Sequence, residues 1–175
     1  MKLSHCNNCQ SQVKLCSDFG ESGEMVYYCV ECDTEITYNF KFCILAAGKG
    51  TRNNNVQGLH KALLPLENKP VISHIIDRLD KKVEIVIAVG YKSEQIKSYL
   101  NEVHSDRNIT YVDVDNYDGQ GSGPGYSLLS CKDELQSPFI FTSVDTLVDE
   151  DIAFKYVGDN WLGVSEVDND SSMNY

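Results

Sequence analysis

Four short apolar runs constrain the fold of this chain more than any other feature of its sequence. Each run is β-prone, and each is followed by a segment that we expect to be helical; in 70–80 and 93–103 apolar residues recur at helical spacing. The runs cover 41–46, 84–90, 109–114 and 139–144, and the helical segments cover 70–80, 93–103, 125–135 and 150–156. Because strands that alternate with helices usually pair in parallel, we predict an α/β domain whose mostly parallel sheet is covered by helices.

The composition suits one ordinary domain with a small appendage. Of the 175 residues, 42% are apolar, which is typical of a chain that buries a globular core. No apolar run approaches the roughly 18 residues of a membrane span, and the polar start lacks the apolar segment of a signal peptide. We therefore expect a soluble cytoplasmic protein that makes no membrane contact.

Four of the seven cysteines form two C-x2-C pairs, which are Cys6 with Cys9 and Cys29 with Cys32. This spacing predicts a zinc ribbon over residues 1–40, with four thiolates around one structural Zn²⁺ ion and no open position for catalysis. So small a segment gains its folding free energy from the metal. Two disulfides, or a four-sulfur iron site of rubredoxin type, remain alternatives to zinc.

A loop of small residues follows the first strand of the larger domain, which we assign to residues 41–175. Its sequence, L-A-A-G-K-G-T-R over 45–52, contains Gly48 and Gly50, which tolerate backbone angles that side chains forbid. Uncovered main-chain N–H groups in such a loop bind anionic oxygens, and Arg52 and Lys61 supply positive charge nearby. The loop therefore predicts a phosphate site, although glycines there also serve turn geometry alone.

The loop and the segment K-A-L-L-P-L-E-N-K-P over 61–70 together resemble the signature of the sugar-phosphate and phosphocholine-type nucleotidyltransferases. The resemblance covers about 41–175. It implies a Rossmann-like mixed, mostly parallel sheet with helices on both faces, as in nucleotide-diphospho-sugar transferases. It also implies a reaction in which an NTP and a sugar-1-phosphate, or a similar phosphorylated alcohol, give an NDP-linked product and pyrophosphate.

The resemblance assigns roles to particular residues. Lys61 and Arg52 are the expected catalytic residues, at the α-phosphate and the leaving pyrophosphate, and Asp145 is the expected Mg²⁺ ligand. The residues expected to bind the nucleotide are Leu45, Ala46, Ala47, Gly48, Gly50, Thr51, Gly121 and Ser122. Gly121 and Ser122 belong to a second loop, 116–125, whose small residues favour a pyrimidine base. Simpler roles also exist: Asp145 as a helix cap, Lys61 as a surface lysine, and 116–125 as a flexible loop.

The net charge of −11 restricts the partners of the chain. An acidic surface disfavours nucleic acid and anionic membranes, so we expect neither as a partner. A phosphorylated substrate must then be held locally by a few cations, loop amides and Mg²⁺.

Two departures from the family pattern leave a second function open. His60 stands where sugar-phosphate members usually have proline, and relatives carry a longer domain with a second metal-binding carboxylate. Asp168 and Asp170 are weak substitutes for that ligand. We therefore expect 41–175 to lack the C-terminal acceptor-binding part. The alternative function is a catalytically incomplete nucleotide-binding domain whose zinc ribbon recruits a protein partner or a second copy of the chain.

Overall fold

The computed structural model of the chain describes residues 8, 9, 11, 15–19, 25–29, 31–36, 40–50, 58–79 and 81–147. Its strands, in chain order, are β1 Leu15–Phe19, β2 Met25–Cys29, β3 Glu35–Ile36, β4 Lys41–Ala46, β5 Pro65–Leu66, β6 Lys69–Pro70, β7 Glu84–Val89, β8 Ile109–Asp113 and β9 Phe139–Ser143. Its helices are a 3₁₀ turn at Lys61–Leu63, α1 Val71–Ile76, α2 Ser93–Val103 and α3 Pro124–Ser130.

A three-stranded antiparallel sheet precedes the larger domain. Strand β2 is central, with β1 and β3 on either side of it. The strand β2 ends at Cys29, and a tight turn then leads into β3. The second C-x2-C pair therefore lies at the connection between two neighbouring strands.

The larger domain is built on a four-stranded sheet with the order β8-β7-β4-β9. All three pairings in this sheet are parallel, and Ile44 at the centre of β4 pairs with Ile87 of β7 and Thr142 of β9. Because the strands run the same way, the loops that follow them all leave from one edge of the sheet. That carboxyl-terminal edge is where open α/β sheets bind their ligands.

Helices cover both faces of this sheet, as predicted. Alternate residues of β4 enter different cores: Phe42 and Ile44 pack with α1 and α2, whereas Cys43 and Leu45 pack on the side of α3. The α2 side chains that enter the first core are those of Ile96 and Leu100, four residues apart and both fully buried. Strands buried on both faces explain why the sequence shows continuous apolar runs rather than alternation.

The predicted strands agree with the structure within about one residue, and α2 covers the predicted 93–103, but α1 and α3 agree less well. Helix α1 ends at Ile76, short of the predicted 80, and α3 covers 124–130 where 125–135 was predicted. The helix predicted at 150–156 lies outside the described residues. Within the described part of the chain, no helix is both long enough and apolar enough to cross a membrane.

Candidate active site

The Gly-rich loop begins where β4 ends and lies against Lys61. Gly50 adopts a φ of 64°, and a Cβ added to it would stand 3.1 Å from the Cδ atom of Lys61. A Cβ on Gly48, in contrast, would meet no atom of the described residues within 4 Å. Among the described residues, the loop thus leaves space open over Gly48, and Gly50 packs on the aliphatic part of the Lys61 side chain.

Lys61 and Asp145 meet at the carboxyl-terminal edge of the sheet although 84 residues separate them. Lys61 starts the 3₁₀ turn, and Asp145 follows β9, whose last residue is Ser143. The Lys61 Nζ atom donates to Asp145 Oδ2 at 2.8 Å, and the Ser143 hydroxyl donates to the other carboxylate oxygen. The predicted catalytic lysine and the predicted metal ligand are therefore in direct contact.

The Asp145 carboxylate is suited to bind a cation. Burial alone would raise its pKa, but the hydrogen bonds from Lys61 and Ser143 oppose this and hold the pKa below its ordinary value. The carboxylate is consequently ionised at neutral pH. Its side chain keeps 58% of its exposure, so an incoming ion can approach the carboxylate from solvent. Carboxylate oxygens are the ligands that Mg²⁺ prefers.

The second predicted loop, 116–125, follows β8 and is joined to the Gly-rich loop by an ion pair. Gly119, Gly121 and Gly123 all have positive φ angles, which explains why glycine recurs there. The hydroxyl of Ser122 donates to the carbonyl of Gly119 at 2.7 Å, so its remaining capacity toward a ligand is as an acceptor. The two predicted nucleotide residues Gly121 and Ser122 thus belong to one tightly turned segment.

A lysine that the sequence analysis did not single out links the two loops. Lys49 of the Gly-rich loop forms an ion pair with Asp118 of the second loop. The Asp118 carboxylate raises the pKa of the Lys49 amine above its ordinary value. The sequence G-K-G could have indicated Lys49, because a lysine between two conformationally permissive glycines is well placed at a phosphate site.

Gly90, just after β7, lies against both the Gly-rich loop and the second loop. The backbone N–H of Tyr91, just after β7, donates to the carbonyl of Ala47 at 2.9 Å. A Cβ on Gly90 would stand 2.8 Å from the side chain of Tyr117 and 2.9 Å from the same Ala47 carbonyl oxygen. Gly90 is therefore the point at which the loops after β4, β7 and β8 touch, and only a residue without a side chain fits there.

The remaining predicted residues fall into two groups. The side chains of Leu45, Ala46 and Ala47 are buried, so these residues carry the loop and can offer only backbone groups to a ligand. Thr51 and Arg52 lie outside the described residues, and their predicted roles stay predictions.

Three of the four predicted metal-binding cysteines come together. The Sγ atoms of Cys9, Cys29 and Cys32 all lie within 4.8 Å of one another, and these residues could hold a metal ion. Cys6 lies outside the described residues. Two further cysteines, Cys43 and Cys131, are buried together in the core on the α3 side.

A surface cavity of about 360 Å³ lies elsewhere, between α1 and α2. In it the Ser73 hydroxyl lies 2.9 Å from both the Tyr99 hydroxyl and the His104 Nε2 atom, and Lys69 forms an ion pair with Asp77. The cavity is remote from the loops at the carboxyl-terminal edge. We therefore place the candidate active site at the edge and not in this cavity.

Curated relatives match the part of the chain that carries this edge. The bifunctional protein GlmU of Methanococcus maripaludis is 30% identical over 128 residues, which are 72% of this chain and 29% of that protein. The UTP–glucose-1-phosphate uridylyltransferase AglF of Haloferax volcanii is 30% identical over 107 residues, which are 59% of this chain and 42% of that protein. The chain thus spans less than half the length of either relative.

A solved structure shares both the fold and part of the sequence. The CTP:phosphocholine cytidylyltransferase LicC of Streptococcus pneumoniae superposes with a TM-score of 0.56 at 32% identity. The superposition covers 66% of this chain and 49% of the cytidylyltransferase. The expected resemblance to nucleotidyltransferases and the expected fold are thereby confirmed.

The sequence profile of one family matches residues 42–156, from the second residue of β4 to beyond Asp145. This range contains the Gly-rich loop, Lys61, the second loop and Asp145, all of which the structure assembles at one edge of the parallel sheet. The chain belongs to the family of MobA-like NTP transferase domains.

Proposed function

We propose that this protein transfers a nucleotidyl group from an NTP to a sugar-1-phosphate or a similar phosphorylated alcohol. A phosphate oxygen of the acceptor attacks the α-phosphorus, the bond to the bridging oxygen breaks, and pyrophosphate leaves. The observation that carries the proposal is the contact between Lys61 and Asp145 beside the Gly-rich loop. A cation and a carboxylate beside a glycine-rich loop are groups that phosphoryl chemistry uses.

Lys61 is the residue that would act on the reacting phosphate. Only 22% of its side chain is exposed, and Gly50 packs on its aliphatic part, so its amine is held at the edge of the open space over Gly48. Charge on the α-phosphate oxygens grows as the acceptor attacks, and a fixed ammonium group stabilises that charge. When substrate binds, the Lys61 amine must leave Asp145 and bind the phosphate instead.

Asp145 would hold the Mg²⁺ ion that the proposed reaction uses. The carboxylate is exposed and ionised. When a substrate phosphate becomes the partner of Lys61, the carboxylate would be free to bind a cation. Bound Mg²⁺ would neutralise charge on the triphosphate. Ser143 fixes the orientation of the carboxylate through its hydrogen bond.

The two loops would bind different parts of the nucleotide. The amides near Gly48 and the side chain of Arg52 would bind the leaving pyrophosphate, and Gly121 and Ser122 would face the base. A small-residue loop favours a pyrimidine. The names of two relatives, a UTP-dependent and a CTP-dependent enzyme, support that choice.

The test is a pyrophosphate-release assay of the full chain. It supplies CTP, UTP, dTTP, ATP or GTP with Mg²⁺ and offers glucose-1-phosphate or phosphocholine as the acceptor. We expect turnover with a pyrimidine nucleotide. Lys61→Met and Asp145→Asn should each lower kcat by about two to three orders of magnitude, the typical loss when one electrostatic group is removed.

Matched controls come from another ion pair of the same type. Lys81 and Asp106 precede β7 and β8 and therefore lie at the opposite edge of the sheet. Lys81→Met and Asp106→Asn should leave kcat unchanged. Mg²⁺-dependent binding of a nucleotide without turnover, for every acceptor tried, would contradict the proposal and favour the nucleotide-binding module that recruits a partner.

A further inference from the structure

We propose that Cys9, Cys29 and Cys32, with Cys6 as the fourth ligand, hold a structural Zn²⁺ ion. Four thiolates about 2.3 Å from a tetrahedral ion lie about 3.8 Å from one another. The Sγ atoms of Cys9 and Cys29 are 3.6 Å apart, and all three described Sγ atoms lie within 4.8 Å. Three thiols at these separations leave room for one ion at their centre.

The backbone around the second C-x2-C pair is already folded for chelation. The N–H of Cys29 donates to the carbonyl of Thr34 at 2.9 Å, and the N–H of Asp33 donates to the carbonyl of Cys29 at 2.8 Å. Asp33 adopts a φ of 53°, which reverses the chain just after Cys32. This turn directs the thiols of Cys29 and Cys32 to the same side, as a shared ion requires.

Polar side chains surround the thiols and fit them as thiolates. The hydroxyl of Ser11 lies 2.8 Å from the Cys9 sulfur and 3.5 Å from the Cys29 sulfur. The Cys32 sulfur lies 3.1 Å from the Thr34 hydroxyl and 3.8 Å from the amide nitrogen of Asn8, which donates to it. Such outer groups orient metal ligands and spread their negative charge.

The spacing of the cysteines predicts the fourth thiol ligand. Cys6 precedes Cys9 with two residues between them, as Cys29 precedes Cys32. Two such pairs complete a tetrahedral site that leaves no position for water or substrate, so its role is structural. Zinc is favoured over ferrous iron because it stands higher in the Irving–Williams order.

Metal content of the full chain tests the proposal. Protein produced with zinc in the medium should contain one zinc ion per chain by mass spectrometry of the elements. Cobalt exchanged into the site should give thiolate charge-transfer bands and the ligand-field absorption of a tetrahedral ion. Cys29→Ser and Cys32→Ser should abolish both signals.

The fourth ligand is tested by a matched pair of substitutions in the same segment. Cys6→Ser should lower zinc affinity by at least tenfold, whereas Cys16→Ser should leave it unchanged. The reverse result would overturn the assignment of Cys6. Iron in place of zinc, or chains that carry no metal although zinc was supplied, would overturn the zinc site itself.

Hydrogen exchange gives a readout that does not depend on whether a variant folds. Removal of zinc from the native chain by a chelator should accelerate amide exchange in β1 to β3 and leave β4, β7 and β8 protected. Unchanged exchange in β1 to β3 after complete loss of zinc would contradict a structural role. The proposal rests on the cysteines alone and stands or falls independently of nucleotidyl transfer.

Discussion

At the scale of single residues, the hydrogen bonds of His60 fix the backbone next to Lys61. Its side chain is fully buried, and its Nδ1 atom accepts the N–H of Ala62, so the ring proton of the neutral form is on Nε2. Its own N–H donates to the side chain of Gln95, whose amide nitrogen in turn binds the carbonyl of Gly58. His60 thereby fixes the start of the turn that presents Lys61.

Protonation of His60 should destabilise the protein in acid. Burial, with the charges of Lys61 and Lys92 nearby, lowers its pKa to about 4 from an ordinary 6.5. The unfolded chain binds a proton below about pH 6.5 and the folded chain resists it until about pH 4. The free energy of unfolding should therefore fall across this window, by about 3 kcal/mol from this residue.

The measurement is denaturant unfolding between pH 7 and pH 4 for the parent chain and for His60→Asn. Asparagine retains an acceptor for the Ala62 N–H and removes the titrating ring. The variant should be less stable at pH 7, because of the smaller side chain, and should show a shallower fall toward pH 4. His74→Asn, on the surface side of α1, should retain the steep fall. Equal slopes for the parent and His60→Asn would contradict the prediction.

At the scale of elements, periodicity predicted the sheet well because burial dictates it. The apolar runs at 41–46 and 84–90 became β4 and β7, which lie at the centre of the sheet and are buried on both faces. The ends of helices depend on local geometry that periodicity does not encode. Helix α2 begins after Lys92, whose left-handed φ of 49° is such a local feature.

Gly90 should be essential because it lies where three of these elements meet. In Gly90→Ala the new methyl group would press on Tyr117 and on the Ala47 carbonyl, both within 3 Å. Neither the backbone oxygen nor the Cβ of Tyr117 can move without shifting its loop. We expect a loss of stability of about 1 to 3 kcal/mol, as for overpacking elsewhere, and weaker nucleotide binding.

The control for this substitution is Gly125→Ala in α3. A Cβ on Gly125 meets no described atom within 4 Å, and alanine favours the helical backbone. Thermal unfolding should therefore show an unchanged or slightly higher Tm for Gly125→Ala and a lower Tm for Gly90→Ala. A Gly90→Ala chain as stable as the parent would mean that the loops can separate at little cost.

At the scale of the whole molecule, the long-range ion pairs of the site could not be predicted from the sequence. The motifs identified Lys61 and Asp145 separately, but their contact depends on β9 lying beside β4. The pair of Lys49 and Asp118 likewise joins loops that are distant in sequence. Both lysines are thus paired with carboxylates in a chain of net charge −11.

If Asp145 holds Mg²⁺ as proposed, nucleotide binding should depend on that ion. A triphosphate that approaches Lys61 also approaches Asp145, so without a cation the gain at the lysine is opposed by repulsion from the carboxylate. With Mg²⁺ on Asp145, both groups attract the triphosphate. We therefore expect a pyrimidine triphosphate to raise the Tm of the full chain by about 5 to 10 °C at one hundred times its Kd, and only in the presence of Mg²⁺.

Asp145→Asn separates the two contributions in the same titration. The substitution removes the repulsion and the metal ligand together, so the variant should bind the triphosphate alone better than the parent does and should gain little from Mg²⁺. An equal Mg²⁺ dependence in the parent and in Asp145→Asn would show that the ion is held by other residues. The sign of the change without Mg²⁺ is the more discriminating result, because a purely structural role for Asp145 predicts weaker binding under both conditions.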